Sequence, residues 1–247
     1  MLAITLVAGR RPELLSRTLA SFSDKLFKDN EIASVRVNID PIFGDKEDET
    51  ACVAIVREHF PQAEIRSPIA SGFCSAVQWL WQGVPDGLVF HLEDDWICHE
   101  AIDTRIVASW MQTSVRSVPL LSVTHGKKGY KEYSESRTRK KFFGLKLGRR
   151  KLIPSFGTSP GFFDGAFLRR CAALLNEDLD PEKQMKPEIN PDLFAEMAPY
   201  LVKFYKSASG EPIIEDIGRE WRDARNIEKS VTPDGKSVWR RSGEGAE

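Results

Sequence analysis

Between residues 2 and 92 the chain switches repeatedly between short β-branched apolar runs and segments with apolar residues at helical spacing, an alternation that restricts it to an α/β architecture. Residues 2–7 (LAITLV) read as a strand that ends at Ala8-Gly9, and after Pro12 residues 13–22 carry apolar positions at helical spacing. Residues 34–40 alternate like a strand and stop at Pro41, residues 47–60 are helical and end at Pro61, and residues 63–66 form a short third strand before Ser67-Pro68. Over 72–83, Phe73, Ala76, Val77, Leu80 and Trp81 share one helical face. The turn Pro85-Asp86-Gly87 then leads into residues 88–92 (LVFHL), apolar nearly throughout, as in a strand buried on both faces.

Strands and helices in this order build a largely parallel sheet with helices on both sides, and open sheets of this kind bind ligands beyond the C-terminal ends of their strands. Glu93-Asp94-Asp95 follows the apolar run 88–92 and so belongs at that edge. Further on, the pattern predicts a helix over about 102–114, a strand at 120–124, a Gly/Pro-rich stretch at 154–161 and a helix over about 166–175. Prolines 181, 187, 191 and 199 break the next part into short helices and loops, and after Arg225 the chain is a polar tail with a Pro233-Asp-Gly235 turn. At 247 residues it is expected to form one catalytic domain over 1–225 and a tail over 226–247, with a ligand-binding half at 1–100 and an acceptor half at 101–225.

No stretch approaches the roughly 18 to 20 apolar residues of a membrane span, and residues 1–7 are too short and lack the basic lead of a secretion signal. Cys52, Cys74, Cys98 and Cys171 lie far apart with no C-x-x-C pair, which argues against a zinc knuckle or redox motif and favours a reducing, cytoplasmic setting. The formal net charge of -1 points to no acidic partner globally. The charge is unevenly spread, however: eleven Lys and Arg residues between 127 and 151 face only Glu132 and Glu135.

Three consecutive carboxylates repel one another by roughly 1 kcal/mol or more per close pair unless a cation or hydrogen-bond donors neutralise them. Oxygen ligands suit Mg2+ or Mn2+, which keep coordination sites for a substrate's phosphates. The competing reading is a solvated acidic turn.

In this position the triplet resembles the acidic D-x-D-type motif of GT-A fold glycosyltransferases, and residues 4–22 (ITLVAGRRPELLSRTLASF) resemble the opening strand and helix of the family 2 type. The resemblance covers roughly residues 2–225. It implies a GT-A-like (Rossmann-like) α/β/α sandwich and a metal-dependent transfer of a sugar from a nucleotide-sugar donor to a hydroxyl acceptor, with inversion. It implicates Ala8, Gly9, Arg10, Arg11, Asp40 and Glu93 in donor binding, places Asp95 on the metal (Mn2+ or Mg2+), and puts Asp94 on the ribose or beside the metal. Ile213-Ile-Glu-Asp-Ile-Gly-Arg-Glu-Trp221 resembles the Glu-Asp segment of inverting members, which makes Asp216 or Glu215 the candidate base that deprotonates the acceptor. Either could instead cap the helix that begins near Ile217, and Arg10 and Arg11 could be surface residues rather than phosphate ligands.

Gly161, Phe162 and Asp164 fall in the acceptor-side segment, where a tight turn is the plain alternative. The family often supplies a histidine metal ligand from its C-terminal part, but no histidine follows His125 here, so the third ligand is water or His125, while mid-strand His91 reads as a core residue with a satisfied ring. The basic segment, with Tyr130, Tyr133, Phe142 and Phe143, suits a single-stranded nucleic acid, an anionic lipid surface or a solvated loop closing over the donor. The acceptor is therefore open between a saccharide, a lipid-linked sugar and a hydroxymethylated base in phage-type DNA. Two other classes compete: a nucleotidyltransferase of similar fold, for which Ala8-Gly-Arg-Arg11 is a poor phosphate loop, and a non-catalytic nucleic-acid-binding protein using residues 127–151.

Overall fold

A computed structural model describes residues 1–123, 132–142, 145–231 and 237–241, with the backbone alone for 135–142, 145–153, 229, 231 and 237–241. Strand β1 (Leu2–Ala8) lies at the heart of a seven-stranded sheet, hydrogen-bonded in parallel to β2 (Ile32–Ile39) on one side and β4 (Leu88–Glu93) on the other. Beyond β2 lies β3 (Glu64–Arg66), and the connecting helices are α1 (Pro12–Lys25), α2 (Lys46–His59) and α3 (Phe73–Gln82). Because β1, β2 and β4 run the same way, Ala8-Gly9, Asp40 and the acidic triplet all emerge at one edge of the sheet.

The pleat of the strands builds the two cores. Leu2, Ile4, Leu6 and Ala8 of β1 pack with Leu15, Leu19 and Phe22 of α1 on one face, whereas Ala3 and Val7 pack with Val77, Leu80 and Trp81 of α3 on the other. Such two-sided burial explains why β1 and β4 read as continuous apolar runs. Local signals start the helices: Pro12 opens α1, and α2 begins with a capping box in which Asp45 accepts from the Glu47 and Asp48 N–H groups while the Asp48 carboxylate accepts from Asp45 N–H. Gly87, at φ 102°, closes the turn before β4 in a conformation that suits glycine.

The second half departs further from its sequence pattern. After β5 (Trp96–Cys98) and α4 (Thr104–Met111), strand β6 occupies Val115–Pro119 rather than 120–124; Leu120 and Ser122 make only isolated bridges, to Tyr205 and Ile214. The basic segment contains two paired strands, β7 (Glu135–Phe142) and β8 (Leu145–Pro154), so its described part is a hairpin and not a loop. Residues 124–131 of that segment, including His125, Lys127, Lys128 and Lys131, lie outside the described residues. Strand β9 (Gly161–Asp164) inserts antiparallel between β4 and β6, followed by α5 (Gly165–Leu174), α6 (Pro191–Met197) and β10 (Leu201–Val202), which pairs with β6. The sheet order is therefore β10-β6-β9-β4-β1-β2-β3, parallel except at β9. Strand β11 (Ile214–Asp216) pairs antiparallel with β5 and leads into α7 (Gly218–Asp223). The polar end forms a second hairpin, β12 (Ile227–Val231) with β13 (Ser237–Arg241); the Pro233-Asp-Gly235 turn lies outside the described residues. The result is the expected α/β/α sandwich on a mostly parallel sheet, and no described helix is long and apolar enough to cross a membrane.

Candidate active site

A cleft of about 340 Å3 opens at the C-terminal ends of β1, β2 and β4. Its walls gather Ala8, Gly9, Arg11, Asp40, Glu93, Asp94, Asp95 and Asp216 from the expected residues. They add Ser71-Gly72-Phe73, Thr158, Glu182 and Arg222, which sequence reasoning missed.

The triplet divides its work. Asp94, 2% exposed, ties the edges of two strands together: its N–H donates to Val7 O (3.1 Å), its carbonyl accepts from Thr18 Oγ (2.8 Å) and its carboxylate accepts from Gly9 N–H (3.0 Å). Arg11 donates to both Asp94 oxygens, through Nε (3.2 Å) and through Nη2, and also to Asp95 Oδ2 (3.1 Å). Its guanidinium lies over the rings of Phe43 (4.8 Å) and Trp221 (5.5 Å). Burial works against the charged form, yet Asp94 and Asp95 hold Arg11 protonated even more firmly than usual. Arg11 is thus the built-in counter-ion of the triplet. Arg10 turns away to pair with Glu49, whereas Arg11 lines the cleft and its Nη1 has no hydrogen-bond partner.

Asp95 is held from the far side by the C-terminal segment. Its carbonyl accepts from Ile217 N–H (2.9 Å), and its Oδ2 accepts from Arg222 Nη1 (3.3 Å). A Cβ added to Gly218 would stand 2.0 Å from that same Oδ2, so only glycine fits there. Glu93 accepts from Trp96 Nε1 (3.1 Å); burial, then the charges of Asp95, Glu182 and Asp94, push its carboxyl well above the ordinary range. At the β2 end, Asp40 is 4% exposed and accepts from Asn38 Nδ2 (2.7 Å) and Gly72 N–H (3.1 Å), with burial raising its pKa.

The base candidates separate. Asp216 lines the cleft, and its Oδ1 accepts from the N–H groups of Gly218 (2.9 Å) and Arg219 (3.2 Å), so it also supports the start of α7. Glu215 lies outside the cleft lining, half exposed and paired with His99 (3.1 Å). The alternation of a strand forces this split, since neighbours on β11 take opposite sides. On β9, Phe162 is fully buried against Phe90 (ring centroids 4.8 Å), Gly161 abuts the backbone of Pro119, and Asp164 accepts from Phe167 N–H (2.8 Å) to cap α5. The three expected acceptor residues therefore belong to the core and to a helix cap, and the cleft wall nearest to them in sequence is Thr158-Ser159. Inside the core, His91 Nδ1 meets Thr5 Oγ (2.8 Å) and Trp81 Nε1 (3.3 Å), but Nε2 is buried without a partner, so its ring is only half satisfied.

Among the described residues no three His, Cys, Asp or Glu side chains are grouped to hold a metal ion by themselves. Arg11 and Gly9 use both oxygens of Asp94, whereas Asp95 Oδ1 takes part in none of these bonds. The Asp95 Oδ1, in a cleft that Glu93 and Asp216 also line, fits a Mg2+ or Mn2+ ion that completes its shell with a ligand's phosphates and water. It does not fit one held by the protein alone.

The fold is an α/β sandwich of the GT-A type, with its acidic turn at the end of β4. No family model and no curated protein matches the sequence. Among solved structures the chain is similar to the mannosyltransferase PcManGT from Pyrobaculum calidifontis in complex with GDP-Man and Mn2+, at 12% identity and a TM-score of 0.59 over 91% of this chain and 59% of that one. It is also similar to S. aureus TarS 1-349, at 12% identity and 0.54 over 91% and 63%, and to the same protein in complex with UDP, at 14% and 0.52 over 87% and 60%. The chain spans about three fifths of the length of these proteins, and at such identities the likeness is one of fold.

Proposed function

We propose that this chain is a glycosyltransferase that binds a nucleotide-sugar in the cleft and transfers the sugar to a hydroxyl acceptor. The convergence of Asp40, Gly9, the triplet and Asp216 on one cleft at the strand ends carries the reading, because it brings donor-type and base-type groups into the same cleft. The fold neighbours bound to GDP-Man and to UDP support it. Asp40, Gly72 and Phe73 suit the base and ribose end of the donor. Asp95 would hold Mn2+ or Mg2+ together with the donor's diphosphate, and such an ion would neutralise the charge that develops on the leaving group. Arg222 adds positive charge at the same wall, while Arg11 keeps Asp94 and Asp95 in place.

Asp216 acts as the base: it takes the acceptor's hydroxyl proton as the new C–O bond forms at the anomeric carbon and the bond to the diphosphate breaks on the opposite face. One displacement of this kind inverts the anomeric configuration. Thermal stability measured with UDP, GDP and their sugar conjugates, with and without Mn2+, tests the reading. One nucleotide at about 100 times its Kd should stabilise the fold by about 2.7 kcal/mol, a Tm rise of about 5 to 10 °C. Asp95→Ala should abolish the metal-dependent part, and the absence of a shift with every nucleotide would sink the proposal.

A further inference from the structure

Glu182 lines the cleft without a part in the chemistry above, yet buried polar side chains hold the turn that carries it. Asp180, 4% exposed, accepts through Oδ1 from the N–H groups of Glu182 (3.0 Å) and Lys183 (3.2 Å). Gln184 is fully buried: its Oε1 accepts from Asn176 N–H (2.8 Å) and Asn190 Nδ2 (3.0 Å), and its Nε2 donates to Asn176 O (3.0 Å). Buried polar groups cost free energy unless each is bonded, so these side chains fix one conformation of the turn. What that conformation brings to the cleft is the Glu182 carboxylate.

The carboxylate is anchored as well. Glu182 Oε1 accepts from Thr158 N–H (3.0 Å) and Thr158 Oγ (3.1 Å), and a Cβ on Gly157 would stand 3.3 Å from the same oxygen. Both bonds go to Oε1, which leaves Oε2 for a ligand. A carboxylate accepts only, so its partners in a ligand are hydroxyl or amine donors. Charge sets a second condition. Asp40, the triplet, Glu182 and Asp216 line the cleft against Arg11 and Arg222, and both cations already donate to Asp94 or Asp95. A metal ion at Asp95 would offset the diphosphate of the donor, but a carboxylate on the sugar would enter a surplus of negative charge with no cation to meet it. With Asp40, Gly72 and Phe73 at the base end and Asp95 at the diphosphate, Glu182 and Thr158 remain for the sugar.

We propose that Glu182, positioned by Thr158, selects the donor by its sugar: it accepts hydrogen bonds from the hydroxyls of an uncharged sugar and rejects a sugar that carries a carboxylate. The inference rests on the nucleotide-sugar reading of the cleft. Isothermal titration with Mn2+ tests it on UDP, UDP-glucose and UDP-glucuronate, and on GDP, GDP-mannose and GDP-mannuronate; within each pair of conjugates the sugars differ only in the carboxylate at C6. In the series whose nucleoside diphosphate binds, the neutral conjugate should bind at least about tenfold more tightly than the acid one, since uncompensated like charges at close range cost at least that much. Glu182→Gln keeps the shape and removes the charge. It should narrow the ratio to about threefold or less, while the Kd of the nucleoside diphosphate alone and the Tm stay as in wild type. Thr158→Val, which removes only the hydroxyl donor, should weaken the neutral conjugate about threefold and leave the diphosphate unaffected. The proposal is overturned if wild type binds both conjugates equally, if Glu182→Gln preserves the ratio, or if that substitution weakens the diphosphate as much as its conjugates. Failure of every nucleotide to bind would remove the glycosyltransferase reading itself, and this inference with it.

Discussion

At the scale of single residues the site depends on contacts that no local pattern announces. Gly218 is one: its Cα faces the Asp95 carboxylate so closely that Gly218→Ala must displace it. Donor turnover should fall by about 100-fold, as misplacement of a reacting or metal-binding group by about 1 Å commonly costs, while circular dichroism stays native. Retention of full activity would show that Asp95 is dispensable where it stands. Asp94 has the opposite character. It is the buried counter-ion of Arg11, and removing one partner of such a pair leaves an uncompensated charge, so Asp94→Ala should cost about 3 kcal/mol in urea unfolding with or without donor. A variant as stable as wild type would mean that Arg11 has found other partners. His91 sets a pH dependence. Burial lowers its pKa to about 3 from an ordinary 6.5, so between these values the unfolded chain binds a proton that the folded chain refuses. Stability must therefore fall as pH drops below about 6.5, by about 1.4 kcal/mol per unit. His91→Gln should flatten that part of the Tm profile between pH 5 and 7.

At the scale of elements, β11 and α7 form the wall that completes the site. Trp221 packs in a small cluster with Leu14, Ile217 and Ile227, donates Nε1–H to Glu13, and covers Arg11 together with Phe43. Trp221→Ala should cost about 3 kcal/mol, within the range for large core truncations, and should raise the donor Kd while Asp216 remains present; isothermal titration against urea midpoints separates the two effects. The elements also show what the sequence could express. Strand β1, helix α1, β4 and the triplet were legible because each is encoded by its own period and Asp95 directly follows a buried strand. Asp40 was legible for the same reason. Strand β9 was not: four residues that open on Gly161, end on Asp164 and are followed by Gly165 look like a turn, and only pairing with β4 and β6 on both sides makes Gly161–Asp164 a strand. The basic hairpin was hidden because its cations mask any apolar alternation. Thr18, Glu182, Gly218 and Arg222 reach the site from elements distant in sequence, and distance of that kind is visible only after folding.

For the whole molecule, β9 is the joint. It returns from the second half of the chain to lie between β4, which belongs to the first half, and β6, which belongs to the second. Phe162 faces the core shared by α1 and α2, and Phe163 faces the core shared by α3 and α5, so one short strand contributes to both layers. Were residues 1–100 and 101–225 separate folding units, a lesion at Phe162 would loosen the second alone and leave two transitions. The continuous sheet argues that they unfold together. Phe162→Ala removes a fully buried ring that touches Phe90 and should cost about 3 to 5 kcal/mol. For a chain of this length that corresponds to a Tm loss of about 10 °C in a single calorimetric transition with equal van't Hoff and calorimetric enthalpies. Two resolved transitions, or a Tm unchanged alongside a loss of acceptor binding, would return Phe162 to the acceptor role that its sequence position suggested.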